Sequence, residues 1–330
     1  MDSLSQVVLG AAVAASVAPR VPRRALLYGA ALGTLPDLDT LALLHLDPVA
    51  RFVGHRSFSH SLLVLSLAAP VLALLLWQLD RGLRSVSRWR WWLAVWAVLL
   101  THPLLDAFTV YGTQLLWPLP FWPPTMWASI FIIDPLYTLP LLIAVLWIGW
   151  RPRAAQAVRR AALAGLLLST AYLGWSLYAQ RLAETRAAAA LAEAGLPATR
   201  LLVSPAPFNT LLWRAVAVGP GGDGEAYVSL RPGGPPVRWH WTPADPEAAG
   251  AVLTLPAGQR LHWFSHGFLR AWVAGDRLRV ADLRMGAGTA FFFVFDIARR
   301  ENGRWQAMEP ERVARPGARV ERLRALLDAF

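Results

Sequence analysis

Six apolar segments fill most of the first 180 residues and limit the possible folds more than any other feature of this sequence. A helix needs roughly 20 residues to cross the hydrocarbon of a bilayer, and all but the first segment approach that length. The segments run over Leu4–Ala18, Ala25–Leu44, Ser61–Leu79, Trp91–Phe108, Ile130–Trp150 and Ala161–Gln180. They predict an all-α polytopic membrane domain of about five to six helices over residues 1–180.

The distribution of arginine predicts how these helices are oriented. The net charge of +11 would ordinarily suggest a nucleic-acid partner. Much of the arginine, however, lies in alternate short loops, Arg20–Arg24, Arg81–Arg90 and Arg151–Arg160. Positive loops stay in the cytoplasm, whereas long domains cross largely regardless of charge. We therefore expect the lipid bilayer and no nucleic acid as partner, with the C-terminal domain outside the cytoplasm. No pattern indicates an oligomeric state.

The sequence changes character after Gln180. Residues 181–200 contain an Ala-rich helical stretch that ends near Gly195 and Pro197, and this predicts a helical linker. Residues 201–330 predict a small β-rich extramembrane domain with a helical pattern over Arg312–Phe330. The strand-like runs, separated by Gly and Pro, are Leu211–Val218, Ala226–Leu230, Val237–Trp241, Arg277–Leu283 and Ala290–Ile297.

Three polar clusters interrupt the apolar segments: Pro36–Asp39, His55–Ser61 and Thr101–Asp106. At 1.5 Å per helical residue, the first cluster's carboxylates lie roughly 18–21 Å along their segment, and the third cluster's polar groups roughly 17–23 Å along theirs. The polar groups thus share one level near the outer interface. An ionisable residue at membrane depth costs about 2.5–3.5 kcal/mol and is a candidate for function.

Histidine and carboxylate are the only strong metal ligands available, because the chain contains no cysteine. His102 and Asp106 are four residues apart and share one helical face. Pro36 suits a helix break between carboxylates, and we expect His55 in a loop and His60 in the first turn of the next helix. Such donors suit zinc, iron or manganese. The predicted metal ligands are Asp37, Asp39, His55, His60, His102 and Asp106. The alternative is that Asp37 and Asp39 form ion pairs with Arg56 or Arg51.

Several motifs in order resemble the membrane-bound, metal-dependent hydrolase family that includes YdjM, LexA-regulated in some bacteria. The motifs are Asp2 with Leu4-Ser5-Gln6, Thr34–Asp39, His55–Ser61, Thr101–Thr109 and Ile133–Thr138. The family looks distantly similar to zinc-dependent phospholipase C and P1 nuclease, an all-helical group with a multinuclear zinc site. The resemblance implies that the six residues bind one or more divalent ions, with zinc expected, in a multi-pass protein of the bacterial inner membrane. Gln6 departs from the family, where many members have His, which puts a third metal in doubt.

A metal-activated water that cleaves a phosphoester, for example in a lipid headgroup, is the predicted chemistry. Arg56 is a candidate catalytic residue that binds a phosphate oxygen; a carboxylate or lipid partner is the alternative. Asp134 is a candidate base or ligand-orienting residue; a helix-start role before Pro135 is the alternative. A transporter and a non-enzymatic membrane scaffold are competing functions. A transporter is disfavoured because few polar residues lie on the cytoplasmic side.

The loop Ala107–Ser129 is uncharged, proline-rich and tryptophan-rich. Proline disrupts regular structure, and tryptophan favours the membrane interface. The loop is predicted to be a lid over the site, with an inert aromatic anchor as the alternative.

Overall fold

We describe the protein from a computed structural model, which covers residues 1–119, 122–150, 154–288 and 290–313. The chain divides into two units. The first contains Met1–Ala42 and His55–Ser176, and the second contains Leu43–Gly54 and Leu177–Phe330. A short piece of the N-terminal half, residues Leu43–Gly54, therefore belongs to the same unit as the C-terminal region.

The first unit is helical. Three short 3₁₀ segments, Leu35–Leu38, Phe58–His60 and Arg81–Ser85, separate its helices. The helices of the N-terminal half are α1 Ser3–Val17, α2 Pro22–Thr34, α3 Asp39–Ala42, α4 Pro48–Gly54, α5 Leu62–Leu79, α6 Arg88–Ala107, α7 Pro135–Trp150 and α8 Ala155–Glu193. Helix α4 lies in the segment that belongs to the second unit.

Side-chain oxygens fix where several helices start. Asp2 accepts a hydrogen bond from Ser5 N, Ser61 from Val64 N, and Ser87 from the third residue of α6. These caps satisfy amide groups that have no partner inside the helix. The polar residues before each apolar run thus define its first turn.

Glycine allows α1 and α2 to approach closely. A Cβ atom on Gly10 would lie 2.2 Å from the Gly29 carbonyl oxygen, so no larger residue fits without backbone movement. This contact holds the end of α2 against α1, and the Gly33 carbonyl at that end contacts the site described below.

Two helices in the described residues are long and apolar enough, by length and composition alone, to cross a membrane. They are Leu62–Leu79 and Ala155–Glu193, and the number is smaller than the five to six that we predicted. Helix α1 has 15 residues, and α2 ends at Thr34 because Pro36 and two aspartates follow it. Much of α5 is exposed, including Leu67 at 77%, so an apolar environment must cover it.

The local expectations around the polar clusters are partly confirmed. The chain does break at Pro36, where a 3₁₀ turn leads into α3. Helix α6 runs continuously through Pro103. The prediction for His60 is wrong in detail, because this residue ends a separate 3₁₀ turn and α5 starts two residues later. Ser61 provides the helix cap instead.

The C-terminal region is rich in β-structure, as predicted. It contains two antiparallel four-stranded sheets with strand orders β1-β2-β3-β4 and β10-β9-β6-β5, and a two-stranded sheet β7-β8. The strands are β1 Arg200–Pro205, β2 Leu212–Gly219, β3 Gly222–Ser229, β4 His240–Pro243, β5 Leu269–Ala274, β6 Arg277–Asp282, β7 Gly286–Ala287, β8 Ala290–Phe291, β9 Val294–Glu301 and β10 Arg304–Arg312. Two helices that the sequence analysis did not predict, α9 Pro246–Val252 and α10 Pro256–Phe264, precede β5. The predicted helix Arg312–Phe330 lies almost entirely outside the described residues.

Helix α8 contains the last predicted apolar segment, Ala161–Gln180, and most of the predicted helical linker. It continues for 39 residues to Glu193, and the two units divide inside it, after Ser176. Its C-terminal part packs into the second unit through Ala179, Ala183 and Ala187, which are buried with Trp213. Small side chains on this face let the helix lie close to the sheet.

Candidate metal centre

Four of the six predicted ligands converge in the first unit. Asp37, His60, His102 and Asp106 each offer one ligand atom, and these atoms all lie within 4.8 Å of one another. Asp37 comes from the turn after α2, His60 from the turn before α5, and the other two from α6. Three polar clusters that are far apart in the sequence therefore meet, as predicted.

The spacing between the donor atoms suits a single small cation. His60 Nε2 lies 3.1 Å from His102 Nε2, 3.2 Å from Asp106 Oδ2 and 3.4 Å from Asp37 Oδ1. His102 Nε2 lies 3.5 Å from Asp37 Oδ1 and 3.6 Å from Asp106 Oδ2. Ligands at 2.0–2.1 Å from a tetrahedral zinc are separated by about 3.3 Å. The four residues fit that donor set, and the distances from the two histidines, 3.1–3.6 Å, fit that spacing.

Hydrogen bonds to the far side of each ring determine which imidazole nitrogens are available. His102 Nδ1 lies 2.6 Å from the Gly33 carbonyl, which only accepts, so Nδ1 carries the proton. Ser59 Oγ donates to Asp39 Oδ2 at 2.7 Å and therefore accepts from His60 Nδ1 at 2.9 Å. In both neutral rings Nε2 then carries a lone pair. A cation between them, either a metal ion or a proton on one Nε2, satisfies two lone pairs that face each other beside carboxylates.

The remaining two predicted ligands, Asp39 and His55, lie beside this group. His55 Nδ1 donates to Asp39 Oδ1 at 2.9 Å, while Asp39 Oδ2 accepts from Arg56 N at 3.0 Å and from Ser59. Asp39 Oδ2 is 3.8 Å from His60 Nδ1. The structure thus places Asp39 behind the ring of His60, where it supports the ligand. Direct coordination by Asp39 or His55 stays a prediction.

Two cationic groups contact Asp106. Arg56, only 3% exposed, has its Nε 3.2 Å from Asp106 Oδ2 and donates to Thr109 Oγ1 at 2.9 Å. The Met1 ammonium group donates to Asp106 Oδ1 and is buried. Arg56 therefore has a carboxylate partner, which was the alternative interpretation, although the partner is Asp106 rather than Asp37 or Asp39. Its catalytic role stays a prediction.

Gln6 is part of the site. Its amide Nε2 donates to Asp106 Oδ1 at 3.0 Å and to the His102 carbonyl at 3.3 Å. At this site two buried acceptor oxygens have no hydrogen-bond partner among the described residues, Gln6 Oε1 and Asp106 Oδ2. Buried acceptors are normally satisfied, and a cation bound between the four residues would satisfy Asp106 Oδ2 beside the Arg56 guanidinium.

Asp134 lies in a different network. Its Oδ1 accepts from Leu136 N at 3.1 Å and Tyr137 N at 3.4 Å, and its Oδ2 accepts from Tyr172 OH at 2.9 Å. These bonds cap the start of α7, which was the alternative interpretation of this residue. The proposed role of Asp134 in catalysis stays a prediction.

The predicted lid is hydrogen-bonded to the segment that carries Arg56. Gln114 N donates to the Arg56 carbonyl at 2.9 Å, and Ser61 Oγ donates to the Trp117 carbonyl at 2.6 Å. Thr113 pairs with Thr125 in an antiparallel bridge. Residues 120–121 of the loop lie outside the described ranges, and gating by this loop stays a prediction.

A match to a known protein family covers the helical N-terminal part of the chain. A family model described as YdjM inner membrane protein matches residues 1–183. The chain is also similar to "Inner membrane protein YbcI" of Escherichia coli strain K12, with 34% identity over 103 residues, 31% of this chain and 56% of that relative. The match thus spans about half the length of the curated relative. No solved structure matches the chain. Neither finding supports the similarity to phospholipase C and P1 nuclease, which stays a prediction.

Proposed function

Because the chain belongs to the YdjM inner membrane protein family, we propose that it is a metal-dependent hydrolase of the bacterial inner membrane that cleaves a phosphoester. The proposal includes a multi-pass N-terminal domain and an extracytoplasmic C-terminal domain. The family supports the membrane location, and the four-residue group supports the metal chemistry.

One observation carries the proposal: the Nε2 atoms of His60 and His102 face each other at 3.1 Å while both Nδ1 atoms are held by acceptors. Two imidazole nitrogens that face each other beside two carboxylates are the arrangement that a metal centre needs. Ligating histidines normally donate their other ring nitrogen to a carbonyl or carboxylate system. Gly33 and the Ser59–Asp39 pair provide these acceptors.

Two imidazoles and two carboxylates fit zinc, and also iron or manganese. A divalent ion bound there would supply a water with a pKa near 7 and a Lewis acid for a phosphoryl oxygen. The proposed ligands are Asp37, His60, His102 and Asp106. Asp37 is the most accessible of them, with a side chain 27% exposed, so substrate approaches on its side.

The neighbouring Asp39–His55 pair can move a proton. The carboxylate orients the ring through Nδ1, and the His55 side chain is 22% exposed next to the buried His60. An imidazole that is oriented by a carboxylate and open to solvent suits a general acid or base. Arg56 places a positive charge beside Asp106 and also supplies charge near a bound phosphate.

A lipid-linked phosphoester suits the surroundings of the site. Helix α5, which starts directly after the His55–Ser61 cluster, exposes Leu67 and Val71. The loop after α6 exposes Trp122 at 63%. Tryptophan at this position favours the membrane interface, where a headgroup phosphate is found. The lipid part of a substrate would then stay in the bilayer.

A competing interpretation has a specific basis. The Met1 ammonium and Arg56 both contact Asp106 and together offset its charge. In that case the cluster is a structural ion-pair network in a membrane scaffold without hydrolase activity. In this interpretation a proton on one Nε2 lies between the two rings and the carboxylates, and no metal is bound.

The test is hydrolysis of bis(p-nitrophenyl) phosphate and of phospholipid vesicles by detergent-purified protein. Activity should require Zn²⁺ or Mn²⁺, disappear with a chelator, and fall by about three orders of magnitude or more in His102→Ala. Tyr172→Phe is the matched control, since it removes a buried hydrogen bond outside the cluster. Activity in His102→Ala equal to that of the wild type would refute the proposal.

A further inference from the structure

The segment Leu43–Gly54 connects two of the motifs that form the metal centre. It follows Asp37 and Asp39 in the chain and ends immediately before His55. Although both flanking motifs belong to the first unit, the segment itself belongs to the second unit with the C-terminal β-structure. The chain therefore passes through the second unit between one half of the site and the other.

An aromatic cluster holds α4 in the second unit. The Phe52 ring lies 4.9 Å from that of Phe264, 4.4 Å from that of Phe293 and 5.5 Å from that of Phe295, measured between centroids. Val49, one turn earlier on α4, is fully buried. Packed aromatic rings contribute both buried area and favourable edge contacts.

Asp47 holds the other end of α4. Its Oδ1 accepts from Val49 N and Ala50 N, both at 2.9 Å, and its Oδ2 lies 3.8 Å from Arg260 on α10. The start of α4 and its buried face are therefore both tied to the C-terminal part of the chain.

The chain leads from the end of α4 directly into the polar cluster that contains His55. Gly54 ends α4, and the next residue, His55, donates to Asp39. Asp39 in turn accepts from Ser59 and Arg56, and Ser59 accepts from His60. His55 is thus the residue that follows α4 in the chain and the first in the set of hydrogen bonds that orient the His60 ring.

We propose that the C-terminal domain sets the geometry of the metal centre by holding α4, with Phe52 and Asp47 as positioning residues. The proposal gives the β-rich domain a regulatory function: an event that loosens α4 from it disorders His55 and lowers metal affinity. It rests on the proposed function for the role of the metal, whereas the conformational coupling does not depend on any activity.

Hydrogen–deuterium exchange of the full-length protein in detergent and chelator tests the coupling without metal. In Phe52→Ala, amides 55–61 should exchange about tenfold faster or more, because local opening of a segment sets its exchange rate. Amides 92–100 of α6 should keep their wild-type rates. Phe52→Leu should restore most of the protection, and Asp47→Ala, which leaves the aromatic cluster intact, should show a smaller increase.

Val228→Ala is the matched control, since it removes buried apolar volume from the second unit in a different cluster. It should leave amides 55–61 unchanged. Titration with Zn²⁺ against a chelating dye should show weaker binding in Phe52→Ala than in Val228→Ala. Wild-type exchange at 55–61 in both Phe52→Ala and Asp47→Ala, or an equal increase in Val228→Ala, would overturn the coupling. Faster exchange together with no zinc binding in the wild type would retain the coupling and refute the proposed function.

Discussion

Asp106 and Asp134 show how differently two buried carboxylates can be used in one helical unit. Both side chains belong to fully buried residues next to apolar helices. The carboxylate of Asp134 accepts hydrogen bonds from uncharged groups, two backbone amides and a tyrosine hydroxyl. Asp106, in contrast, faces two imidazoles, a guanidinium and an ammonium, and one of its oxygens has no hydrogen-bond partner among the described residues.

Under the proposed function, the difference identifies the feature that separates a metal-binding carboxylate from one that caps a helix. Burial and membrane depth are common to both residues and cannot distinguish them. The distinguishing feature is the combination of convergent donor atoms and an unsatisfied acceptor. Asp134 lies in a complete cap, whereas Asp106 lies in a cluster of convergent donor atoms and keeps one oxygen without a hydrogen bond among the described residues.

The largest effect is expected from replacement of Asp106. Asp106→Ala leaves Arg56 and the Met1 ammonium buried without their carboxylate. Removing one partner of a buried ion pair costs about 3–5 kcal/mol. We therefore expect a loss of that size in the free energy of unfolding, measured by denaturant titration in detergent with chelator present. A loss below about 1 kcal/mol would contradict the contacts described for Asp106.

The support behind a ligand is expected to matter less. Ser59→Ala removes the hydroxyl between Asp39 and His60 Nδ1, so the His60 ring loses its fixed orientation. Loss of such an outer hydrogen bond costs about 10–100-fold in metal affinity. Competition with a chelating dye measures the change. Ser66→Ala, which removes the hydroxyl that accepts a hydrogen bond from Trp96 Nε1, is the control and should bind metal normally.

Asp134→Ala affects stability and leaves the metal in place. Loss of a helix cap costs about 0.5–2 kcal/mol. The free energy of unfolding should fall by that amount, while the metal content of purified protein stays equal to that of the wild type. Loss of metal in this variant would show that Asp134 is needed for metal binding and would contradict a purely structural role.

Tyr172→Phe should have the smallest effect. It removes one hydrogen bond to Asp134, for which about 0.5–1.5 kcal/mol is typical. The same denaturant titration measures it. A double variant with Asp134→Ala should lose little more than Asp134→Ala alone, because the two residues share the bond that is removed.

The convergence of the three polar clusters could be predicted from the sequence. The spacing of residues along a helix determines which side chains share a face and how deep they lie. The i, i+4 relation of His102 and Asp106 and the break at Pro36 are local features, and the structure has both. The roles of Gly33 and Ser59 were not predicted. The role of Gly33 comes from its backbone carbonyl, which every residue type has. Nothing in the sequence distinguishes Ser59 from the other two serines of its motif.

The number of membrane spans and the division into units could not be predicted from apolar runs alone. The apolar segment after Arg24 stops forming helix at Thr34, since Pro36 and Asp37 follow. The docking of Phe52 depends on Phe264 and Phe295, which lie more than two hundred residues later in the sequence. Such contacts arise from tertiary packing, and no local pattern around Phe52 indicates them.

The central claim, that the four-residue group binds a divalent metal, is tested most directly by elemental analysis of protein purified without chelator. The wild type and Asp134→Ala should each contain at least one zinc, iron or manganese ion per chain. His60→Ala should contain none, since it removes the donor that lies closest to the other three. Wild-type protein without stoichiometric metal, or His60→Ala with as much metal as the wild type, would contradict the claim.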